Sequence, residues 1–258
     1  MAKIKRHLNY AAISILSIAA IFMIIGLCYA QAGQEGVVHA PEPTSIALVS
    51  TGLVGWIVQY ARMRFREFKR IFDLIVAGIG AVVAAPVVAL AAIVIKIVSP
   101  GPVFYTQDRV GWGGETFKIF KMRTMRLDAE KHTGPVWAIE DDPRLIKFGK
   151  LIRKAHIDEL PQLFNVLRGE MSIVGPRPER PVFVEKLCKE IPEYRKRSNV
   201  KPGITGLAQV KHKYDETLED VKKKVKLDLL YIRRMCLMVD MRILFNTIIV
   251  SALGKGAR

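Results

Sequence analysis

IFDLIVAGIGAVVAAPVVALAAIVIKIV, residues 71–98, carries only Asp73 and Lys96 as charged side chains. A run this long and apolar can enter a bilayer, whose hydrocarbon core takes about 20 helical residues to cross. Pro86 lies near its middle, where a missing N–H costs the helix a hydrogen bond and forces a bend. Ser99-Pro100-Gly101-Pro102 closes the run. Arg62, Arg64, Arg66, Lys69 and Arg70 stand before it, and the chain beyond it holds the larger share of Lys and Arg. A helix crossing once would leave one basic flank outside, whereas a kinked helix that enters and returns keeps both on the cytoplasmic side. Residues 71–100 are therefore expected to form a re-entrant membrane helix kinked at Pro86, with a proline-kinked spanning helix as the alternative.

Toward the N-terminus, Lys3, Lys5, Arg6 and His7 precede an apolar run from Leu8 to Ala30, and a second run covers Ile46 to Tyr60. The stretch between them has Glu35 and Glu42 but no Lys or Arg, as a hairpin with both ends in the cytoplasm requires. Residues 1–70 are read as an N-terminal transmembrane hairpin. Ala30-Gln31-Ala32 also fits a signal-peptidase site, so the first segment could instead be a cleaved leader. The stretch PEPTSIALVSTGLVGWIVQYARMRFR, from Pro41, resembles exosortase sorting signals, which run from Pro-Glu-Pro through an apolar helix to an arginine cluster. Such signals normally end a protein, and here one is internal.

From Gly101 the composition becomes that of a soluble domain, and 101–258 is read as one unit. The chain has 40 Lys+Arg against 24 Asp+Glu, a formal +16, which attracts anions. The apolar residues are concentrated in the first hundred positions, which favours lipid and phosphorylated substrates over nucleic acid. No nucleic-acid-reading helix or aromatic platform is recognisable. Cys28, Cys188 and Cys236 are scattered and odd in number, so neither a disulfide framework nor a zinc site follows. Val103–Tyr105 and Thr116–Phe120 around the Gly111–Gly114 turn predict a β-hairpin. After Asp142-Pro143, Leu145, Ile146, Phe148, Leu151 and Ile152 recur at helical spacing among basic residues, predicting one amphipathic helix against anionic lipid. Further helices are expected from Leu160-Pro161 to Arg168 and over 181–191 and 217–237, with a short strand at 171–174 and a last apolar stretch from Met241 to Leu253. The fold class is α+β, mostly helical and membrane-associated, with amphipathic interfacial helices and a small β-hairpin or strand element.

Asp158-Glu159 stands between basic Arg153-Lys154 and Pro161, whose fixed φ suits a first helical turn. A helix N-terminus and nearby cations favour ionised carboxylates, as a nucleophile or metal ligand needs. An acidic pair before a helix is also an ordinary cap. Downstream, Gly175-Pro176-Arg177-Pro178-Glu179 holds a guanidinium between two prolines, a stiff support that suits bidentate phosphate binding. The loop Lys201-Pro202-Gly203-Ile204-Thr205-Gly206 could offer backbone N–H groups and the Lys201 charge to an anion, with Thr205 beside them; a tight turn would explain either loop as well.

HIDELPQLFNVLRGEMSIVGPRPE, residues 156–179, is closely similar to the signature of the bacterial sugar transferases, the monotopic polyprenyl-phosphate phosphoglycosyl transferases. SPGPVFYTQDRVG from Ser99, FKIFKMRTM from Phe117, DPRLIKFGKLIRK from Asp142, KPGITGLAQV from Lys201 and DLLYIRRMCLMVDMRILFNTI from Asp228 extend the likeness in the family's order. The resemblance implies a re-entrant helix broken at a proline and a catalytic dyad at Asp158 and Glu159. It further implies that Asp158 attacks the β-phosphorus of a UDP-sugar, that UMP leaves, and that the phosphosugar passes to polyprenyl phosphate. Magnesium (Mg²⁺) is implied as cofactor, with Glu159 as its protein ligand. Arg177 would bind phosphate or nucleotide, and Lys121, Arg123, Arg153 and Asp240 match motif positions counted as substrate-binding. Two departures stand out: Ala85 precedes the kink proline where many relatives carry serine, and the N-terminal hairpin is not part of the minimal enzyme. His156 suits packing better than a role as a base.

The expected activity is the initiating step of exopolysaccharide or related glycan synthesis, at the bacterial inner membrane with the catalytic domain on its cytoplasmic face. A non-catalytic membrane adaptor, or a sorted substrate of an exosortase-like system, is the alternative, and in it the dyad would be a helix cap. Neither the sugar nor association into a homo-oligomer can be read from the sequence.

Overall fold

The computed structural model describes residues 43–131, 134, 136, 142–211 and 217–252, with side chains over 65–251. The chain forms two compact units, residues 1–62 and 63–258. The first apolar run, the signal-like site and the Pro41-Glu42 start of the exosortase-like motif lie outside the described residues, and so does the turn of the expected hairpin.

Helix α1 runs from Pro43 to Val98. Pro86 is an internal residue of it, and the helix continues on both sides of the proline where a kink is expected. In the second unit α1 buries Lys69, Asp73, Ala77, Ala84, Ala91 and Ile95, which recur at the spacing of a single helical stripe. Ala77 packs with Val166, Met171, Ile173 and Tyr231. Ala91 and Ile95 pack with Met122, Ile146 and Ile152. Both halves of α1, on either side of Pro86, thus rest on the same unit. The other face exposes Ile71, Ile75, Ile79, Val82, Val83, Leu90, Ile93 and Ile97. Over Phe65–Val98 only 17% of the most apolar window, of mean hydropathy 2.7, is buried by protein, which rules out an ordinary core helix.

The expected hairpin is present. Strands β1 (Phe104–Val110) and β2 (Thr116–Met122) pair antiparallel, Phe104 opposite Met122 and Val110 opposite Thr116, around a 3₁₀ turn at Trp112–Gly114. The single helix expected after Pro143 is a correction. Helix α2 covers only Gly149–Lys154, Leu145 forms a β-bridge with Met125, and Phe148 adopts left-handed φ of 68°. A side chain on Gly149 would meet the Thr124 carbonyl at 2.6 Å, so the start of the helix packs against that backbone as only glycine allows.

Helix α3 spans Gln162–Arg168, followed by β3 (Ser172–Val174). Strand β4 (Gly203–Thr205) pairs parallel with β3. The glycines of the 201–206 loop serve this approach. A Cβ on Gly203 would lie 2.1 Å from the Gly175 nitrogen, and one on Gly206 would lie 2.3 Å from the Gly175 carbonyl oxygen. Helices α4 (Pro181–Glu190), α5 (Leu207–Lys211), α6 (Leu218–Arg234) and α7 (Leu237–Ala252) complete the unit, with a 3₁₀ segment at Pro192–Asn199. Thr217 caps α6 in a reciprocal box with Asp220. The fold is mostly helical with two small sheets.

Polar contacts fasten the start of the stripe. Lys69 Nζ meets Asp240 at 2.5 Å, and the Tyr231 hydroxyl donates to Asp240 at 2.8 Å and sits 3.1 Å from the Val174 carbonyl. Asp73 accepts from the Ile173 N–H, and Arg70 donates to the Val166 and Leu167 carbonyls at the end of α3. Truncating one partner of a buried ion pair strands the other charge, at a cost of about 3–5 kcal/mol. Lys69→Ala is therefore expected to lower the thermal midpoint of the detergent-solubilised protein substantially. A wild-type melting curve would contradict the anchoring role.

Candidate active site

The dyad occupies a 3₁₀ turn, Ile157–Glu159, entered through His156 in left-handed φ of 54°. That turn aims both carboxyls at β2 and at the 175–179 loop. Glu159 Oε1 accepts from Lys121 Nζ at 2.8 Å and Arg177 Nη2 at 2.5 Å, and its Oε2 accepts from Arg177 Nη1 at 3.1 Å. Asp158 is 8% exposed and accepts no hydrogen bond from the described residues. The capping role left open for the pair is not realised, since α3 has no side-chain cap at its start.

The two acids are electrostatically unlike. Burial and the neighbouring Glu159 charge push the Asp158 carboxyl above its ordinary value, against the pull of Lys121, Arg153 and Arg177. Burial also opposes ionisation of Glu159, but Arg177 and Lys121 overcome it and hold that carboxyl well below the usual range. Nearby cations favour ionisation of both acids, as expected, but only at Glu159 do they outweigh burial. For Asp158 desolvation prevails.

Both carboxyls line a cleft of about 730 Å³, a size typical of ligand pockets. One wall is cationic: Arg109, Lys121, Arg123, Arg126, Arg144, Arg153, Arg177, Arg180 and Lys224, against Glu130, Asp158, Glu159 and Glu179. Arg109 Nε, Arg123 Nε and Arg144 Nη1 are buried without a hydrogen-bond partner, donors that an anionic ligand could satisfy. Arg123 is itself held by the Ser99 and Pro100 carbonyls at 2.6 and 2.9 Å, and Arg153 Nε by Thr124 Oγ1 at 2.9 Å.

Of the residues singled out from sequence, the cleft gathers Asp158, Glu159, Arg177, Lys121, Arg123, Arg153 and Thr205. Two lie outside its lining. Lys201 sits by Gly169 and Arg70, because the loop it begins is consumed by sheet pairing. Asp240 is fully buried against Lys69 and Tyr231; on α7 it precedes the cleft-lining Thr247 by about 10 Å of helix. Glu159 suits a divalent cation in one respect. Three donors occupy its carboxylate, leaving about one of four acceptor positions open on Oε2. Magnesium usually takes one or two carboxylates plus substrate phosphates, which the open Glu159 position and Asp158 could supply.

A sequence profile of the bacterial sugar transferase family matches residues 64–254. The chain belongs to the bacterial sugar transferases. It is 45% identical over 190 residues to the UDP-N-acetylgalactosamine-undecaprenyl-phosphate N-acetylgalactosaminephosphotransferase of Aeromonas hydrophila, covering 74% of this chain and 45% of that protein. It is 41% identical over 184 residues to the UDP-glucose:undecaprenyl-phosphate glucose-1-phosphate transferase of Caulobacter vibrioides, covering 70% and 68%. Against the exopolysaccharide production protein PSS of Rhizobium leguminosarum the identity is 38% over 196 residues, covering 73% and 96%. The chain thus spans less than half of the Aeromonas protein and nearly all of the Rhizobium one.

Sequence reasoning missed the residues that position this sugar transferase's cleft. Arg197, buried, donates to Asp228 at 2.7 Å, to the Tyr194 hydroxyl at 2.6 Å and to the Arg177 carbonyl at 2.9 Å, so it holds the Pro-Arg-Pro loop from behind. Asn165 accepts from the Phe120 N–H and donates to the Lys118 carbonyl, tying α3 to β2. Arg180 forms a bidentate pair with Glu130 at 2.7 and 2.9 Å. None of these lies at a spacing that announces its partner. Glu179, paired with Arg109 and Lys224, loses charge stabilisation to burial but gains more from those cations, and its carboxyl sits at about 2. A depressed folded value stabilises above the unfolded value of 4.5 and is lost as pH falls toward 2, a swing of about 3 kcal/mol. Glu179→Gln is expected to destabilise the protein at neutral pH and to flatten its acid unfolding profile between those two values. An unchanged profile would remove Glu179 from the account.

Proposed function

We propose that the chain transfers a sugar 1-phosphate from a UDP-sugar to polyprenyl phosphate, releasing UMP, through an intermediate on Asp158. The observation that carries this reading is the asymmetry of the dyad. One carboxylate is locked between two cations, and its neighbour is free of hydrogen bonds at the wall of an anion-binding cleft. In the first displacement an Asp158 oxygen bonds to the donor's β-phosphorus as the bond to the UMP oxygen breaks. In the second, an oxygen of the lipid phosphate bonds to that phosphorus and the aspartyl bond breaks. Phosphoryl transfer needs charge neutralisation and alignment above all, and Arg177, Lys121 and Arg153 surround Asp158 with both. A magnesium ion held at the open Glu159 position and on the donor phosphates would add charge neutralisation there. Relatives named as transferases to undecaprenyl phosphate support the acceptor class.

The stripe of α1 supports a cytoplasmic-face, re-entrant or interfacial topology. A straight helix over Phe65–Val98 would be about 50 Å long, enough to part its ends across a bilayer, yet both halves pack on one unit. Two basic flanks on one side agree with that arrangement.

Incubation with a UDP-sugar, Mg²⁺ and polyprenyl phosphate is expected to release UMP, and donor alone should leave a phosphosugar adduct on Asp158 in an intact mass. Asp158→Asn should lose both, with turnover reduced about a thousandfold or more. Because Asp158 acts ionised and its carboxyl lies above the ordinary range, turnover should fall with acidification at a higher pH than an unperturbed aspartate would give. Full turnover by the Asn variant is the result that overturns the proposal.

A further inference from the structure

The cleft has a second wall, unlike the cationic one. Ile204, Thr205, Ala208, Gln209, Thr247 and Val250 line it from β4, α5 and the inner stripe of α7. No side chain among these is charged. The two threonine hydroxyls are occupied within the protein: Thr205 and Thr247 share a hydroxyl hydrogen bond at 2.7 Å, and Thr247 donates to the Ile243 carbonyl at 2.8 Å. Gln209 gives its amide N–H to the Ile204 carbonyl, while its carbonyl oxygen is buried without a hydrogen-bond partner among the described residues. A uracil or a sugar brings several donors and acceptors that must be met on binding, and this wall offers few, the Gln209 carbonyl oxygen and the Ser251 hydroxyl of α7 among them. A saturated or olefinic chain needs none.

The wall also lies next to the two apolar surfaces of the unit. Leu163, which lines the same cleft, lies so close to Gly80 of α1 that a Cβ there would be 3.4 Å from it. The opposite stripe of α7 exposes Met238, Met241, Phe245 and Ile248, an apolar row flanked by the exposed Arg242, on the helix whose inner side faces the cleft. Exposed apolar surface of this extent on two helices calls for lipid.

We infer that the neutral wall, between α5 and the inner stripe of α7 with Leu163 beside Gly80, holds the first isoprenoid units of the acceptor. In this arrangement the polyprenyl chain enters from the lipid side past α7, and its phosphate reaches Asp158 while the nucleotide-sugar occupies the cationic wall. The inference rests on the proposed reaction for the identity of the acceptor and adds where its chain lies.

The decisive experiment uses the full chain in detergent with a polyprenyl phosphate whose first isoprenoid units bear a photoreactive diazirine. Mapped crosslinks are expected in 204–210 and 243–251, and competition by unlabelled long-chain polyprenyl phosphate should remove them. Val250→Trp, at a half-exposed position, should raise KM for the long-chain acceptor about tenfold while moving KM for the UDP-sugar less than about twofold. Crosslinks confined to other segments overturn the inference. A rise in UDP-sugar KM without one for the acceptor would also overturn it, by assigning the wall to the nucleotide. Absence of turnover by the unaltered protein with every UDP-sugar would count against the proposed reaction instead, and the crosslink map would still report where the isoprenoid chain binds.

Discussion

The double ion pair on Glu159 is the contact around which the cleft is organised. Lys121 comes from β2, Arg177 from the loop between β3 and α4, and Glu159 from the turn before α3, so one carboxylate closes three segments far apart in sequence. Each side chain is partly or wholly withdrawn from water, and a charge in that position is tolerated only when paired. Removing any one would leave the other two in conflict with their surroundings. The supporting contacts point the same way: Arg197 fixes the Arg177 carbonyl, and Asn165 fixes the strand that carries Lys121.

A second constraint is that α1 must satisfy two solvents at once. Its buried stripe changes character along its length, from Lys69 and Asp73 with their polar partners to Ala77, Ala84 and Ala91, which let the unit approach closely, and then to Ile95. The opposite side exposes a run of aliphatic side chains from Ile71 to Ile97. The α7 helix repeats the scheme on a smaller scale, with Asp240, Ile243 and Thr247 inward and Phe245 and Ile248 outward. Helices of this kind suit the proposed reaction, in which a soluble donor and a lipid-linked acceptor would have to meet at one depth beside an apolar phase.

The elements with strong local signals were legible in the sequence. The glycine-rich hairpin turn, Pro161 before α3, Thr217 before α6 and the long apolar run each carry their cause within a few residues. The stretch after Pro143 was not legible, because its helical spacing was overridden by a β-bridge from Leu145 to Met125, by the left-handed Phe148 and by a close approach to the Thr124 carbonyl that Gly149 permits. The same limit applies to the site. Asp158, Glu159 and Arg177 announce themselves by unusual neighbours, whereas Arg197, Asp228 and Asn165 act through partners dozens of residues away. The glycines of 201–206 illustrate the ambiguity: a residue without a side chain permits close approach, but the sequence does not say whether an anion or another strand approaches.

The unlike environments of the two acids bear on which of them reacts. A carboxylate already donated to by Lys121 and Arg177 has little electron density left to offer a phosphorus centre, so Glu159 is suited to holding charge in place. Asp158 keeps its oxygens free, and burial beside a second negative charge raises its basicity. Higher basicity makes a better oxygen nucleophile but lowers the ionised fraction at a given pH, so the two effects oppose each other. The cations flanking the pair limit that loss: they favour the Asp158 anion through space, without hydrogen bonds that would tie up its lone pairs. Pairs of acids whose surroundings drive them apart in this way divide their roles by environment.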